Sequence, residues 1–352
     1  MAKRGQSAPA RATSIRMTPG PRNLITDVPG IAVGQAADAK ARSGVTVILP
    51  DERAVAAVDV RGGGPGTRET DALAPETLVE AVDAIVLAGG SVYGLAAADA
   101  VTAWLGDKGR GFGLAAGAPP APVVPAAILY DLANGGDKVW GREPPYRALG
   151  FAAVEAAGAD FALGTAGAGV GAMAGSLKGG VGSASVVGDG FIVGALAAVN
   201  SFGSVVAPDG RAFWAAPFEI AGEFGGVTPS QARVPPDDWG LAKRDPSPQT
   251  STTLAVVAVD AILTPAEARR VAVMAQDGLA RAIRPVHAPF DGDVVFVLAT
   301  GHRALAEPRA FSLTVLGSLA ADCLSRAIAR GVYEATAWPG ADVATWRDLP
   351  TS

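Results

Sequence analysis

The sequence predicts an α/β or α+β fold, with layers of sheet and helix packed on one another. Three observations carry this. First, 49% of the 352 residues are hydrophobic and only 18% are charged, against about 25% charged in an ordinary globular chain. That balance excludes a disordered chain and calls for a large buried core. Second, short Val-rich runs bounded by Gly, Pro and Asp recur in the N-terminal half, as strands do. Third, strand-like and helix-like stretches alternate as β-α-β-α after residue 253. The length fits about two domains or one large layered domain.

The elements follow in order. Residues 1–22 are basic and rich in Pro, Ser and Ala, without the apolar region of a secretory signal, and are expected to form a flexible arm. Val45–Leu49 and Ala54–Val60 are expected strands. Asp83–Ala88 is expected as a buried strand ending at Gly89-Gly90-Ser91, and Val92–Leu105 as the helix after it. Phe151–Ala157 is a second helix. Phe191–Val199 is a buried strand or helix, which periodicity alone does not separate. Five prolines in residues 226–250 disfavour a regular element, so this stretch is expected to be a linker. Leu254–Val259 is a strand. Thr264, Pro265 and Glu267 supply an N-cap, a first helical position and a capping box, opening a helix to about Ile283. Val294–Leu298 and Leu313–Ala329 complete the pattern as strand and helix.

Composition narrows the chemistry. Twenty-nine basic and 34 acidic residues give a net charge of -5. No dense basic run appears, so nucleic acid is not an expected partner. A single cysteine, Cys323, excludes a disulfide framework and a thiolate metal cluster. Only two histidines, His287 and His302, are available to a zinc site or a Ser-His-Asp triad. No metal or cofactor is expected. No run of about 18 uncharged apolar residues stands out, and Gly190–Ala198 is too short to span a bilayer. The expectation is a soluble, cytoplasmic protein without a membrane partner.

Three glycine-rich stretches and one hydroxyl run are candidates for function. Gly167–Ala172 fits G-x-G-x-x-A with Asp189 about 20 residues on, the pattern of a dinucleotide-binding turn. This supports an alternative function, an NAD(P)-type oxidoreductase. The competing explanation is close backbone packing, since Phe161–Gly164 ahead of it is a poor strand. Gly62-Gly63-Gly64-Pro65-Gly66 and Gly89-Gly90-Ser91 are turns whose bare amides could hold an anion or oxyanion. Thr250-Ser251-Thr252-Thr253 joins the proline-rich stretch to the LAVVAV strand. It is either a polar strand entry or the scissile point of a self-cleaving precursor. A Thr or Ser that becomes a chain N-terminus carries its own base, an amine with a pKa of about 7.7–8.0.

The stretch beginning STTLAVVAVDAILTPAEARR resembles the start of the small subunit in the DmpA-type aminopeptidase family. That family contains L-aminopeptidase/D-esterases, β-peptidyl aminopeptidases and nylon-oligomer hydrolases. Leu24–Ile31 with Val33-Gly34, Asp59–Gly63 and Leu87–Leu95 agree with it in order. The resemblance implies a four-layer α/β/β/α sandwich of the N-terminal-nucleophile hydrolase type. It implies a precursor that cuts itself into residues 1–251 and 252–352, so that 23–251, after the arm, and 252–352 are the large and small fragments of one domain, and a homotetramer of two-fragment protomers. The implied nucleophile is Thr252, acting on short peptides or amides with a free amine. Ser251 stands where Asn or Gly is more familiar, so cleavage one bond earlier, with Ser251 as nucleophile, is the alternative.

The resemblance also implies roles for other residues. Asp291 and Asp293 would orient the nucleophile and its amine, although a D-G turn alone would account for them. Asn200 would donate to an oxyanion, or simply cap a turn. Tyr130 matches an active-site tyrosine, or is a core aromatic. Lys178 aligns with a lysine of the nylon-hydrolase branch, or is a solvated lysine. His287 is expected to be a helix C-terminal histidine outside the chemistry. An uncut binding protein of the same fold is the remaining alternative.

Overall fold

The computed structural model describes residues 17–208, 210–230, 233–244 and 251–350. The expected arm therefore enters the description only from residue 17, and Thr250 lies outside it. In chain order the strands are β1 (Ile31–Asp38), β2 (Ser43–Pro50), β3 (Ala54–Val60), β4 (Thr67–Arg68), β5 (Ala81–Val82), β6 (Ile85–Ala88) and β7 (Ala126–Ile128). They continue with the short pair β8 (Met173–Ala174) and β9 (Leu177–Lys178), then β10 (Val181–Gly188), β11 (Phe191–Asn200), β12 (Thr252–Ala261) and β13 (Val294–Arg303). The α-helices are α1 (Ala96–Asp107), α2 (Tyr146–Glu155), α3 (Pro265–Ala282) and α4 (Arg309–Tyr333).

Two sheets stack face to face. One has six strands in the order β10-β11-β12-β13-β3-β5, the other five in the order β1-β2-β6-β7-β4. Leu254, Val256 and Ala258 on one face of β12 pack with Ile48, Ile85 and Leu87 of the opposite sheet. Ala255, Val257 and Val259 on its other face pack with Val271, Leu279, Leu316 and Leu324 of α3 and α4. The outer face of the five-stranded sheet is covered by α1 and α2. The order of layers is thus α/β/β/α. A strand buried on both faces needs apolar side chains at every position, which is why LAVVAV does not alternate. Each Leu or Val side chain of the run contributes about 1.5–3 kcal/mol through burial.

Residues 252–352 are not a separate unit. β12 runs antiparallel to β11 and parallel to β13, and β13 runs antiparallel to β3. The two strands after residue 251, β12 and β13, therefore lie side by side between strands from before it, in one sheet. α3 is the crossover that two adjacent parallel strands require. The expected capping box is present, with the Thr264 hydroxyl accepting from Glu267 N and the Glu267 carboxylate accepting from Thr264 N.

Several boundaries differ from expectation for identifiable reasons. Phe191–Asn200 is a strand, its neighbours on either side being β10 and β12. The expected helix at Val92 begins as a 3-10 turn, Ser91–Leu95, before α1. α2 begins at Tyr146, ahead of the expected Phe151. It contains Gly150, a poor helix former, because a Cβ there would meet the Ala97 carbonyl of α1 at 2.5 Å. α4 is long and apolar enough, with a mean hydropathy of 1.3, to pass a looser test for a membrane span, but it carries Asp322 and Arg326, and 72% of its apolar window is buried in this fold. It is a core helix against β10, β11 and α3. The described part of the proline-rich stretch has neither helix nor strand. It is strapped down by Ser176 N donating to Leu241 O at 2.8 Å and Lys243 N donating to Phe202 O at 2.9 Å.

Candidate active site

The ends of three adjacent strands meet at Thr252. In the antiparallel ladder its partner is Asn200, the last residue of β11. On the other side the residue before it, Ser251, bridges Asp291, just ahead of β13. Both are withdrawn from solvent, Ser251 completely and Thr252 to 4% exposure. The Thr252 hydroxyl donates to the Ser251 carbonyl oxygen at 2.5 Å, and the Gly292 amide donates to the same oxygen at 2.9 Å. The peptide bond between Ser251 and Thr252 is therefore polarised by a backbone donor and touched by a hydroxyl from its own C-terminal side.

Gly292 lies between the two aspartates, in a loop cradled by the glycine run after β3. Arg61 N and Gly62 N donate to Asp293 O at 3.0 and 3.2 Å, and Gly64 N donates to Asp291 O at 2.8 Å. A Cβ on Gly62 would meet Asp293 N at 2.3 Å. The amides of the Gly62–Gly64 run are thus committed to shaping this loop, and the expectation that they hold an anion is corrected. At Gly89-Gly90 the anion is the protein's own: Gly90 N donates to the Asp131 carboxylate at 2.8 Å.

The two carboxylates are buried and differently engaged. Asp293 accepts from Thr253 N at 2.7 Å and from His287 N at 3.2 Å, and pairs with His287 Nδ1 at 2.8 Å. Asp291 accepts from Ala288 N at 2.8 Å. Burial, and next the charge of Asp293, push the Asp291 carboxyl above the usual carboxylate range, while backbone amides and Lys243 oppose that rise. Among the described residues neither carboxylate accepts from the Thr252 hydroxyl, which is turned to the Ser251 carbonyl instead. Phe290 fixes the loop from outside, its ring 4.5 Å edge-on from Phe202.

Asn200 Oδ1 accepts from Met173 N at 2.9 Å and its Nδ2 donates to the Tyr130 carbonyl at 3.1 Å. Tyr130 and Asn200 line a cavity of about 150 Å³ with Asp131, Asn134, Met173 and Lys243. Lys243 Nζ lies 3.1 Å from Ser251 Oγ and 3.4 Å from the Asn200 carbonyl. Burial lowers its pKa to about 8, against the pull of Asp291. Asp131, in the cavity wall, accepts from Ser43 Oγ at 2.7 Å, and burial raises its pKa to about 6 despite that bond.

Lys178 is placed differently from either sequence expectation. It is fully buried, and its Nζ donates to the carbonyls of Gly169, Ala172 and Gly179 at 3.1, 3.0 and 2.6 Å, with Trp338 beneath at 5.0 Å. Three acceptors match the three donors of an ammonium, although burial pulls its pKa down to about 7. The side chain clamps the Gly167–Ala172 loop and does not touch Thr252. That loop also loses its dinucleotide reading. It is a three-residue 3-10 turn, Gly167–Gly169, with no strand leading into it. A Cβ on Gly169 would meet Val181 N at 2.3 Å, so the glycines serve close packing.

Sequence reasoning missed two site residues. His287, expected at a helix C-terminus, lies beyond the end of α3 and contacts Asp293 instead. Lys243 sat unnoticed in the proline-rich stretch, where no periodicity marks an inward side chain. Among the described residues no cluster of three His, Cys, Asp or Glu side chains could hold a metal ion.

A four-layer sandwich whose central strand opens on a buried hydroxyl, beside paired carboxylates, is the setting of a nucleophilic hydrolase. Such a protein acts on peptide or amide bonds. Residues 23–345 match peptidase family S58, and the chain belongs to that family. It is 47% identical to an uncharacterized aminopeptidase of Mycobacterium tuberculosis, over 93% of this chain and 98% of the relative. It is 30% identical to a 6-aminohexanoate-oligomer endohydrolase of an Agromyces species, over 83% of this chain and 78% of the relative. Among solved structures, the L-aminopeptidase D-Ala-esterase/amidase of Ochrobactrum anthropi, described as a variant of the Ntn hydrolase fold, superposes with a TM-score of 0.66. That match has 22% identity and covers 93% of this chain and 90% of that one.

Proposed function

We propose that the chain cuts itself between Ser251 and Thr252 and then hydrolyses short, amine-terminated peptides or amides with the freed Thr252. The observation that carries this is the pair of hydrogen bonds on the Ser251 carbonyl, one from the Thr252 hydroxyl at 2.5 Å and one from Gly292 N at 2.9 Å. Attack of Oγ1 on that carbonyl carbon forms an ester as the C–N bond breaks and the Thr252 nitrogen takes up a proton. Gly292 N–H holds the oxyanion that develops. Water then hydrolyses the ester, leaving a carboxylate on Ser251 and an amine on Thr252. The amine becomes the base for the same hydroxyl in later turnovers. Asp293, held on Thr253 N, and Asp291 stand where that amine emerges and favour its charged form. Asn200 Nδ2, one strand away, is the second candidate donor to a substrate oxyanion. The Ser251 hydroxyl lies 3.1 Å from Lys243 Nζ, and cleavage one bond earlier, with Ser251 as nucleophile, is the alternative that the fragment masses separate. A substrate with a free amine agrees with the relatives named aminopeptidases, whereas the name of the 6-aminohexanoate-oligomer endohydrolases points to internal amide bonds.

Intact mass spectrometry tests the reading. Wild type should convert from one 35.2 kDa chain to two fragments ending and beginning at residues 251 and 252. Thr252→Ala should remain whole and should not hydrolyse an amino-acyl anilide, whereas Thr252→Ser should retain some of both activities. Cleavage by the alanine variant at the same bond refutes the assignment.

A further inference from the structure

Self-cleavage creates two charges where none existed. One peptide bond and one water become a carboxylate on Ser251 and an ammonium on Thr252, at positions 0% and 4% exposed. A charge buried without a partner costs several kcal/mol. Partners for the ammonium are at hand in the two residues next to it, since Asp293 accepts from Thr253 N at 2.7 Å and Ser251 bridges Asp291. The question is what meets the carboxylate.

Lys243 lies on the Ser251 side. Its Nζ is 3.1 Å from Ser251 Oγ, and that oxygen is only three bonds from the carbonyl carbon. The lysine is itself anchored, through its backbone N–H to Phe202 O at 2.9 Å, on the segment following β11. Gly292 N–H already faces one oxygen of the future carboxylate. The second oxygen forms when water replaces the Thr252 nitrogen, and the flexible four-carbon stem of a lysine lets its ammonium follow it.

We propose that Lys243 is a positioning residue for self-processing. It is a built-in counter-ion for the Ser251 carboxylate, and it keeps the cut end of the large fragment docked beside Thr252. The proposal rests on the self-processing reading. The uncut chain thus carries both counter-ions in advance, two carboxylates for the new N-terminus and one ammonium for the new C-terminus. Two functional consequences follow. Cleavage proceeds without stranding a buried charge. The docked end also covers the Ser251 side of Thr252, so a substrate must displace it.

The experiment compares wild type, Lys243→Met, Lys243→Arg and Ser251→Ala. Intact mass follows the time course of cleavage. The cut proteins are then treated with a carboxypeptidase, and trimming of the large fragment is read by mass, with thermal melting as the check on folding. The expected result is a protected end in wild type, in Lys243→Arg and in Ser251→Ala, because the pairing is with the carboxylate and not the hydroxyl. Lys243→Met should cleave more slowly, by tenfold or more if about 1.4 kcal/mol or more of pairing is lost. Its cut fraction should be trimmed, and it should show a lower KM for an amino-acyl anilide. Cleavage and protection in Lys243→Met equal to wild type would overturn the proposal. So would a failure of Lys243→Arg to restore what Lys243→Met loses, or equal loss of protection in Ser251→Ala. A wild-type chain that never cleaves would refute the self-processing reading instead, which keeps the two failures apart.

Discussion

Replacing Gly292 with alanine would place a methyl carbon 2.6 Å from Thr252 Oγ1 and 3.0 Å from the Gly64 carbonyl. Ordinary contact begins at 3.4 Å, so the hydroxyl must give way by about 3.4 − 2.6 = 0.8 Å. Gly292 is not among the residues with left-handed backbone, so alanine is tolerated by the main chain and the collision is purely steric. The Gly64 carbonyl blocks retreat of the methyl in the other direction. The cheapest response is rotation of the Thr252 side chain, which takes Oγ1 off the Ser251 carbonyl. A displacement of about 1 Å at a reacting group costs on the order of 10²-fold in rate. The Gly292 N–H and its bond to the carbonyl remain, and the change of one side-chain torsion costs the fold on the order of 1 kcal/mol. Gly292→Ala is therefore expected to melt close to wild type while cleaving about two orders of magnitude more slowly. The assay is the intact-mass time course of the 35.2 kDa chain, beside a thermal melt. Cleavage at the wild-type rate in a folded variant would show that Oγ1 at its present position is not the attacking atom.

Two further outcomes are expected. Asp291→Asn and Asp293→Asn, assayed on material confirmed to be cut, should lower anilide turnover by about 10²–10³-fold. Asp293→Asn should also disturb His287, which shares its carboxylate, and wild-type turnover in both variants would reduce the loop to an ordinary turn. Asp131 supplies a pH test. Burial raises its pKa from 3.8 to about 6, so the folded state holds its proton longer than the unfolded chain does. Its contribution to stability is fully present below about 3.8 and is lost as pH rises through about 6. Measured as melting temperature, Asp131→Asn should gain on wild type between pH 4 and pH 7 by the equivalent of about 2 kcal/mol. A pH-independent difference would contradict the burial argument.

Much of this protein could be read from the chain because its signals are local. The capping box at Thr264, Pro265 and Glu267 starts α3 wherever that helix lies, and a run as apolar as Leu254–Val259 has to be an interior strand. The motif resemblance likewise directed attention to Thr252, Asn200, Tyr130 and the pair Asp291 and Asp293, all of which gather at the ends of β11, β12 and β13. What the chain could not reveal depends on groups far apart in sequence. Gly62, Gly63 and Gly64 are bare-amide turns when read alone, and only the fold shows their amides spent on the loop at 288–293. Gly167–Ala172 is a nucleotide signature by spacing, and only packing against Val181 and Lys178 makes it a close-contact turn. Lys178 and Lys243 are both plain lysines in the sequence. Burial among three carbonyls makes the first a structural clamp, and burial against Ser251 puts the second at the scissile bond. Sequence sets backbone propensity and polarity residue by residue, whereas the partner that each buried polar group finds is decided by which strands become neighbours.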